Sequence, residues 1–106
     1  QLLAARGEII RTDIIEDTVV SLLKEAVTSL PEDVLSALKK AEKNERSEIA
    51  RTQLRTILNN IDAADSMAVP MCQDTGIHVF FVSGRITPGI EDRIRAGTLR
   101  ATNEIP

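Results

Sequence analysis

The apolar residues of positions 13–64 recur at intervals of three and four residues, and this regularity stops after residue 64. Apolar residues with that spacing form one face of an amphipathic helix. Three helices are therefore predicted, over 13–30, 31–43 and 47–64. Because aromatic residues make up only 2% of the chain, the core between these helices must be built from Leu, Ile, Val and Ala.

Capping signals lie at the predicted helix starts. Asp13 is the predicted N-cap of the first helix, and Glu16 completes a capping box. Ser29 precedes a proline and a glutamate at the start of the second helix, and Ser47 precedes the third. Side chains of this kind accept hydrogen bonds from the amides that the first helical turn leaves unpaired.

The chain changes character after the third helix. Residues 65–76 contain Pro70 and Gly76 and are predicted to form a loop. The following run IHVFFV, at 77–82, is rich in β-branched and aromatic residues and predicts a short buried strand. A last amphipathic helix is predicted over 90–102. The expected fold class is therefore mixed α/β, with three N-terminal helices, a motif loop, a buried strand and a C-terminal helix.

Charge and cysteine content exclude several classes of protein. The chain has 13 basic and 16 acidic residues and a net charge of −3, so it lacks the basic excess of a nucleic-acid-binding surface. No apolar run approaches the ~20 residues that cross a membrane. A single cysteine forms no internal disulfide, so the cytoplasm is the expected compartment.

Residues 39–51 are dense in charge, and two interpretations are open for them. The run is either a binding surface or a solvated turn between two helices. Because both signs of charge alternate along it, a solvated turn with mixed-sign ion pairs is favoured.

The loop carries the chemically richest segment of the chain. Cys72, Gln73, Asp74 and Thr75 place a thiol, an amide, a carboxylate and a hydroxyl at consecutive positions, and Gly76 permits a close backbone approach. These residues alone leave alternatives open, since a lone cysteine is often a small buried apolar residue. Asp-Thr-Gly is also an ordinary turn, and its match to aspartic proteases requires a β-rich fold that three helices contradict.

The complete string PMCQDTG at 70–76, followed at once by an apolar run, resembles the signature of the class I fumarases and the related tartrate dehydratases. These enzymes are iron–sulfur hydro-lyases. The helices before the string and the polar turn at 44–47 are also similar to that family, and the resemblance covers most of residues 9–106. It implies that residues 1–106 are the N-terminal part of an α-type catalytic domain.

The resemblance implies roles for individual residues. In the family, three cysteines hold a 4Fe-4S cluster whose fourth iron is left open for the substrate. Cys72 matches the first of these cysteines, so it is the expected metal ligand. Gln73 and Asp74 match residues that face the substrate, and Asp74 is the expected acid/base. Thr75 and Gly76 are expected to shape the loop.

The same resemblance implies a substrate and partners. The expected substrate is a small dicarboxylate, with fumarate and L-malate favoured and tartrate next. Since the chain has one cysteine, two further ligands are expected outside it, and the chain alone is expected to be inactive. A β subunit or a C-terminal domain of the same enzyme is the expected partner, within an oligomer. A helical interaction module with a structural cysteine and no chemistry remains the alternative.

Five further side chains have two possible interpretations each. His78 is expected to be a hydrogen-bonded packing residue of the strand rather than a catalytic group. Arg85, Arg93, Arg95 and Arg100 have the charge to bind a dicarboxylate, but ion pairs on the helix surface are favoured for them.

Overall fold

The structure, a computed structural model, describes residues 3–4, 8–9, 12–71 and 76–106, with side chains from residue 14 onward. Within these ranges the fold is dominated by helices, which begin and end close to the positions that the apolar period predicts. They are α1 (Thr12–Thr28), α2 (Glu32–Asn44), α3 (Glu48–Met67) and α4 (Ile90–Glu104).

The strands that the structure describes are two short ones near the N-terminus. β1 (Leu3–Ala4) and β2 (Glu8–Ile9) pair in antiparallel orientation, with Leu3 opposite Ile9. Each strand has only two residues, which is shorter than the usual strand in a globular protein. This short pairing is therefore not the sheet of a mixed α/β fold.

The predicted mixed α/β class and the predicted buried strand at 77–82 are wrong. Residues 77–82 have no strand assignment, and no strand in the described part of the chain pairs with them. Ile77 is 91% exposed and Phe81 is 95% exposed. The residue types of this segment suit a pleated, half-buried surface, but a strand also needs a neighbouring strand to pair its backbone.

The chain divides into two compact units. The first contains Gln1–Lys24 and Asp74–Pro106, and the second contains Glu25–Gln73. Helix α1 begins in the first unit and ends in the second.

Close contact between α1 and α4 organises the first unit. A Cβ atom placed on Gly97 of α4 would lie 2.8 Å from the Cβ of Val19 and 3.0 Å from the carbonyl oxygen of Glu16. Val19 is 4% exposed and Ala101, one turn after Gly97, is 1% exposed. The backbone of α4 therefore approaches α1 at a distance that only a glycine permits.

Ion pairs flank this contact. Arg93 donates to Glu16 at 2.9 Å, and Arg100 donates to Asp17 at 2.6 Å. The hydrogen bond to Asp17 raises the pKa of Arg100 above its usual value. Pairs as exposed as these contribute only about 0–1 kcal/mol each, so the packing at Gly97 matters more to stability.

Helices α2 and α3 pack together in the second unit, and the turn between them is closely bonded. Ser47 caps α3, as predicted, by accepting a hydrogen bond from the amide of Ala50 at 3.3 Å. The carboxylate of Glu45 accepts from the amides of Arg46 and Ser47 at 2.8 and 3.0 Å. The guanidinium of Arg51 donates to the carbonyl of Glu45 at 2.6 Å.

The charged run at 39–51 is the solvated turn that its mixed signs predict. Arg55 of α3 lies 3.0 Å from Glu42 of α2, and Arg51 lies 3.2 Å from Glu48. In each of these pairs the arginine faces a carboxylate of α2 or α3. The charges of these pairs therefore form ion pairs within the second unit.

Two predicted caps are wrong. Helix α2 begins with Pro31 at the N-cap position, and the hydroxyl of Ser29 instead points to Asp65 of α3 at 3.4 Å. Helix α1 already includes Thr12, so Asp13 is its second residue and not its cap. Pro31 fixes the start of α2 without a side-chain cap, because its missing N–H is one that a helix start leaves unpaired anyway.

Helix α3 ends in a left-handed residue that is not a glycine. Ala68 has φ 54° and ψ 44°. The amide of Val69 donates to the carbonyl of Ala64 at 3.0 Å, and the amide of Ala68 donates to that of Asp65 at 3.3 Å. This is a Schellman ending, which glycine usually occupies because a Cβ is strained in that conformation.

We expect the substitution Gly97→Ala to destabilise the protein by about 1–3 kcal/mol, because the added methyl overpacks the contact with Val19. Urea unfolding of the wild type and the variant measures this difference. Thr102→Ala, at an exposed position of the same helix, is the control and should change stability by less than about 0.5 kcal/mol. A stabilised Gly97→Ala variant, which the higher helix propensity of alanine alone would give, would contradict the close contact.

We expect Ala68→Gly to stabilise the protein by about 1 kcal/mol, because it removes the strain of a left-handed alanine. The matched control is Ala63→Gly, at an exposed position inside α3, which should destabilise by about 0.5–1 kcal/mol. Both values come from the same urea titrations. Equal signs for the two substitutions would refute the left-handed ending.

Candidate functional site

The motif residues Cys72, Gln73, Asp74 and Thr75 lie outside the residues that the structure describes. The roles predicted for them remain predictions. What the structure places is the chain on either side, from the end of α3 to Met71 and from Gly76 onward.

The residues before the motif are held by hydrogen bonds. The amides of Ala68 and Val69 bond to the last turn of α3, as described above. Pro70 has no amide hydrogen and a fixed φ. The amide of Met71 donates to the carbonyl oxygen of Val27, in the last turn of α1, at 2.9 Å. The backbone is therefore constrained at each of the four residues that precede Cys72.

Polar and buried side chains of the second unit surround the same helix ends. Thr28 is only 8% exposed, and its hydroxyl lies 3.5 Å from that of Ser29. Ser29 in turn donates to Asp65 at 3.4 Å. Ile61 and Ala64 of α3 are 7% and 2% exposed. The best-buried residues of α3 thus precede the motif by about two to three helical turns, and the residues between them and the motif are exposed or half-buried.

The charge next to this segment is negative. Asp62 and Asp65 lie near the end of α3, and the last turn of the helix has no basic residue. Carboxylates near a helix C-terminus add to its partial negative charge. The described residues directly before the motif therefore provide no cation for a negatively charged ligand.

The residues after the motif are exposed. Nothing lies within 4 Å of a Cβ placed on Gly76, and its φ is outside the positive region. No described residue therefore makes a glycine necessary at this position.

The interpretation of His78 as a hydrogen-bonded packing residue is wrong. Its side chain is exposed, and no hydrogen bond to it is found among the described residues. The prediction depended on a buried strand, and the segment that contains His78 is not one.

Three of the four arginines form surface ion pairs, as favoured. Arg93 and Arg100 pair with carboxylates of α1, and Arg95 lies 3.9 Å from Asp92 on its own helix. Arg85 is exposed and has no ion pair within the described ranges.

Sequence reasoning missed an apolar groove in the first unit. It has a volume of about 270 Å³ and is lined by residues of α1, α4 and the segment at 80–82, including Leu22, Phe81 and Ile94. Thr18 is the one polar side chain in its lining. Since it contains no carboxylate, thiol or imidazole, the groove has no group for acid–base chemistry or metal binding.

Two features are absent from the described residues, a group of side chains that could hold a metal ion and a helix that could cross a membrane. No three His, Cys, Asp or Glu side chains in this part of the chain lie close enough together to hold a metal ion. None of its helices has the length and apolar character that are needed to cross a membrane.

Comparison with known proteins adds the family. The profile of the family described as Fumarate hydratase (Fumerase) matches residues 16–106. A protein of Methanocaldococcus jannaschii named "Putative L(+)-tartrate dehydratase subunit alpha" is 42% identical over 99 residues, which are 87% of this chain and 34% of that protein. A protein of Geobacillus stearothermophilus named "Putative fumarate hydratase class I" is 34% identical over 92 residues.

The second match covers 83% of this chain and 18% of that relative, so the chain spans about a third or less of the length of either protein. The family match includes the whole motif at 70–76 and all of α2, α3 and α4. Because it extends over most of the sequence, this chain belongs to the fumarate hydratase (fumerase) family.

Proposed function

We propose that this chain is part of a hydro-lyase that reversibly adds water across the carbon–carbon double bond of a small dicarboxylate. The observation that carries the proposal is the string PMCQDTG inside the region that matches the family. Fumarate, hydrated to L-malate, is the favoured substrate because the family is described by that activity. Dehydration of L-tartrate is the second candidate, since the relative with 42% identity is named for it.

We assign Cys72 as a ligand of a 4Fe-4S cluster. Thiolates are the usual ligands of iron–sulfur clusters, and Cys72 is the one thiol of this chain. The donor set therefore fits a single ligand, and the remaining thiolates have to come from outside these residues. When bound, such a cluster supplies a Lewis acid that polarises an oxygen of the substrate.

Asp74 is the proposed acid/base. Its carboxyl group donates a proton to the hydroxyl group that leaves the substrate as water, and accepts that proton back when water adds. Gln73 is the proposed substrate-binding neighbour, because an amide both donates and accepts hydrogen bonds. Neither side chain supplies positive charge to a dicarboxylate.

Two of the described arginines do not supply that charge freely either, since Arg93 and Arg100 already face Glu16 and Asp17. Arg85 has no ion pair within the described ranges. Asp62 and Asp65 make the end of α3 acidic. Further cations that bind the substrate are proposed to lie elsewhere in the complete protein.

A second polypeptide region is the proposed source. The Methanocaldococcus relative is named as a subunit alpha, and this chain spans 34% of its length. We propose that a β subunit or a C-terminal domain completes the site within an oligomer, in the cytoplasm. The non-catalytic helical module is the competing hypothesis, and it requires a complete protein that hydrates neither fumarate nor a related acid.

We expect Cys72→Ser to remove cluster occupancy from the anaerobically reconstituted complete protein, because a thiolate ligand is lost, and to abolish activity toward whichever of fumarate and L-tartrate is the substrate. Iron and sulfide analysis together with the two assays measures the effect. Ser66→Ala, on the exposed surface of α3, is the control and should keep full iron. Wild-type iron in the Cys72→Ser protein would refute the assignment.

We expect Asp74→Asn to reduce kcat on the order of 10²–10⁴, the range of general acid–base groups, while iron content and melting temperature remain those of the wild type. Asn keeps the size of the side chain and loses its ionisable group. The control is Asp62→Asn, at an exposed carboxylate of α3. If the Asp74→Asn variant loses stability but keeps its kcat per iron-loaded molecule, the role of Asp74 is structural and the acid/base assignment is refuted.

A further inference from the structure

The first unit buries its small side chains and leaves its large apolar side chains outside. Val19, Val20 and Ala101 are the buried apolar residues described in it, at 4%, 6% and 1% exposure. None of its described Ile, Leu or Phe side chains is buried. Residues of these types are normally among the most completely buried in a protein. The contact between α1 and α4 is therefore only part of a hydrophobic core.

Large apolar side chains of this unit line the apolar groove described above. Leu22 and Phe81, which are 53% and 95% exposed, both belong to the lining. A second hollow of about 490 Å³ shares four lining residues with the groove, Phe80, Val82, Ile90 and Ile94. A cavity of about 150 Å³ between apolar side chains already holds a molecule of the size of benzene. The two hollows therefore have room for several apolar side chains of another segment.

The composition of the groove favours a permanent occupant. Thr18 is the one polar side chain in its lining. Protein surfaces that bind and release a partner are about as polar as the rest of the surface, whereas permanent interfaces are more apolar. The groove also lies between the two helices that hold the unit together, where an amphipathic helix has to bury its apolar face against another element.

The length of the relatives indicates where such an occupant comes from. This chain corresponds to 34% of one relative and 18% of the other, so most of each polypeptide lies outside the matched region. A complete protein of comparable length has enough residues to cover the groove by itself. Cover from the same polypeptide also avoids the loss of translational and rotational freedom that the association of two molecules costs.

We propose that this groove is an unfilled part of a hydrophobic core, and that a segment of the same polypeptide outside residues 1–106 fills it with apolar side chains. The side chains are apolar because Thr18 alone offers the groove a polar partner. The inference rests on membership of the family and on the exposure of these residues, and not on the reaction proposed above.

A photo-reactive side chain in the complete protein tests the inference. Phe81→benzoylphenylalanine places a ring in the groove that forms a covalent bond with the nearest C–H group under light. We expect a cross-linked peptide between position 81 and a residue outside 1–106, in a polypeptide that keeps the mass of a single chain on a denaturing gel. Lys43→benzoylphenylalanine, at an exposed position of α2, measures the background yield.

Three results of this experiment would overturn the inference. A cross-link between two polypeptides would make a second copy or another subunit the occupant. Cross-links confined to residues 1–106, or a yield no higher than that of the Lys43 variant, would show that the groove is not covered.

Hydroxyl-radical labelling of the wild-type complete protein decides the case in which the Phe81 variant does not fold. Phe80 and Phe81 are neighbours of the same chemical type, of which Phe80 is half-buried and Phe81 is exposed. An open groove leaves Phe81 to be labelled several-fold faster than Phe80. We expect Phe81 to be labelled no faster than Phe80, with free phenylalanine in the solution measuring the radical dose, and faster labelling of Phe81 would refute the inference.

Neither measurement uses a substrate. A complete protein with a covered groove that hydrates no acid would refute only the proposed function. An active complete protein with an open groove would refute only this inference.

Discussion

Small side chains at helix contacts are the constraint on which both units of this chain depend. With aromatic residues at 2%, aromatic side chains contribute little to either core. The residues that are buried most completely are Ala101, at 1% exposure, and Ala64, at 2%. Gly97 brings α4 so close to α1 that a single methyl group would collide with Val19. Dispersion contacts and exclusion of water then come from the close approach of backbones, because the side chains are too small to fill a wider space.

The parts of the fold that local patterns determine could be predicted from the sequence. The helices follow from apolar residues at intervals of three and four, and the cap at Ser47 needs only the amide of Ala50, three residues away. Features that depend on distant partners were predicted wrongly. Ser29 has the chemistry of a cap but bonds to Asp65. The segment at 77–82 has the composition of a strand, but no strand among the described residues pairs with it.

The candidate site also has features that the sequence predicts and features that it does not. Its chemical groups are visible in the sequence, because Cys72, Gln73 and Asp74 are consecutive in a string that resembles one family. The hydrogen bonds of the residues before the motif are not visible, because the bond between Met71 and Val27 joins two backbone groups. Every residue except proline has such groups, so no residue type marks the pair. The one signal present was Pro70, which is common just after a helix that ends in a Schellman motif.

Correcting the fold also changes which residues beside the motif are held in place. A buried strand after the motif would have fixed it from the C-terminal side, but Gly76 has open space around it and Ile77 is exposed. The fixed side is the N-terminal one, where the ends of α1 and α3 bind residues 68–71. The hydrogen bonds that hold residues 68–71 thus come from two helix ends, whereas the described residues at 76–79 are exposed. The described residues next to the motif therefore offer paired backbone amides on one side and solvent-exposed side chains on the other, and the last turn of α3 has no basic residue.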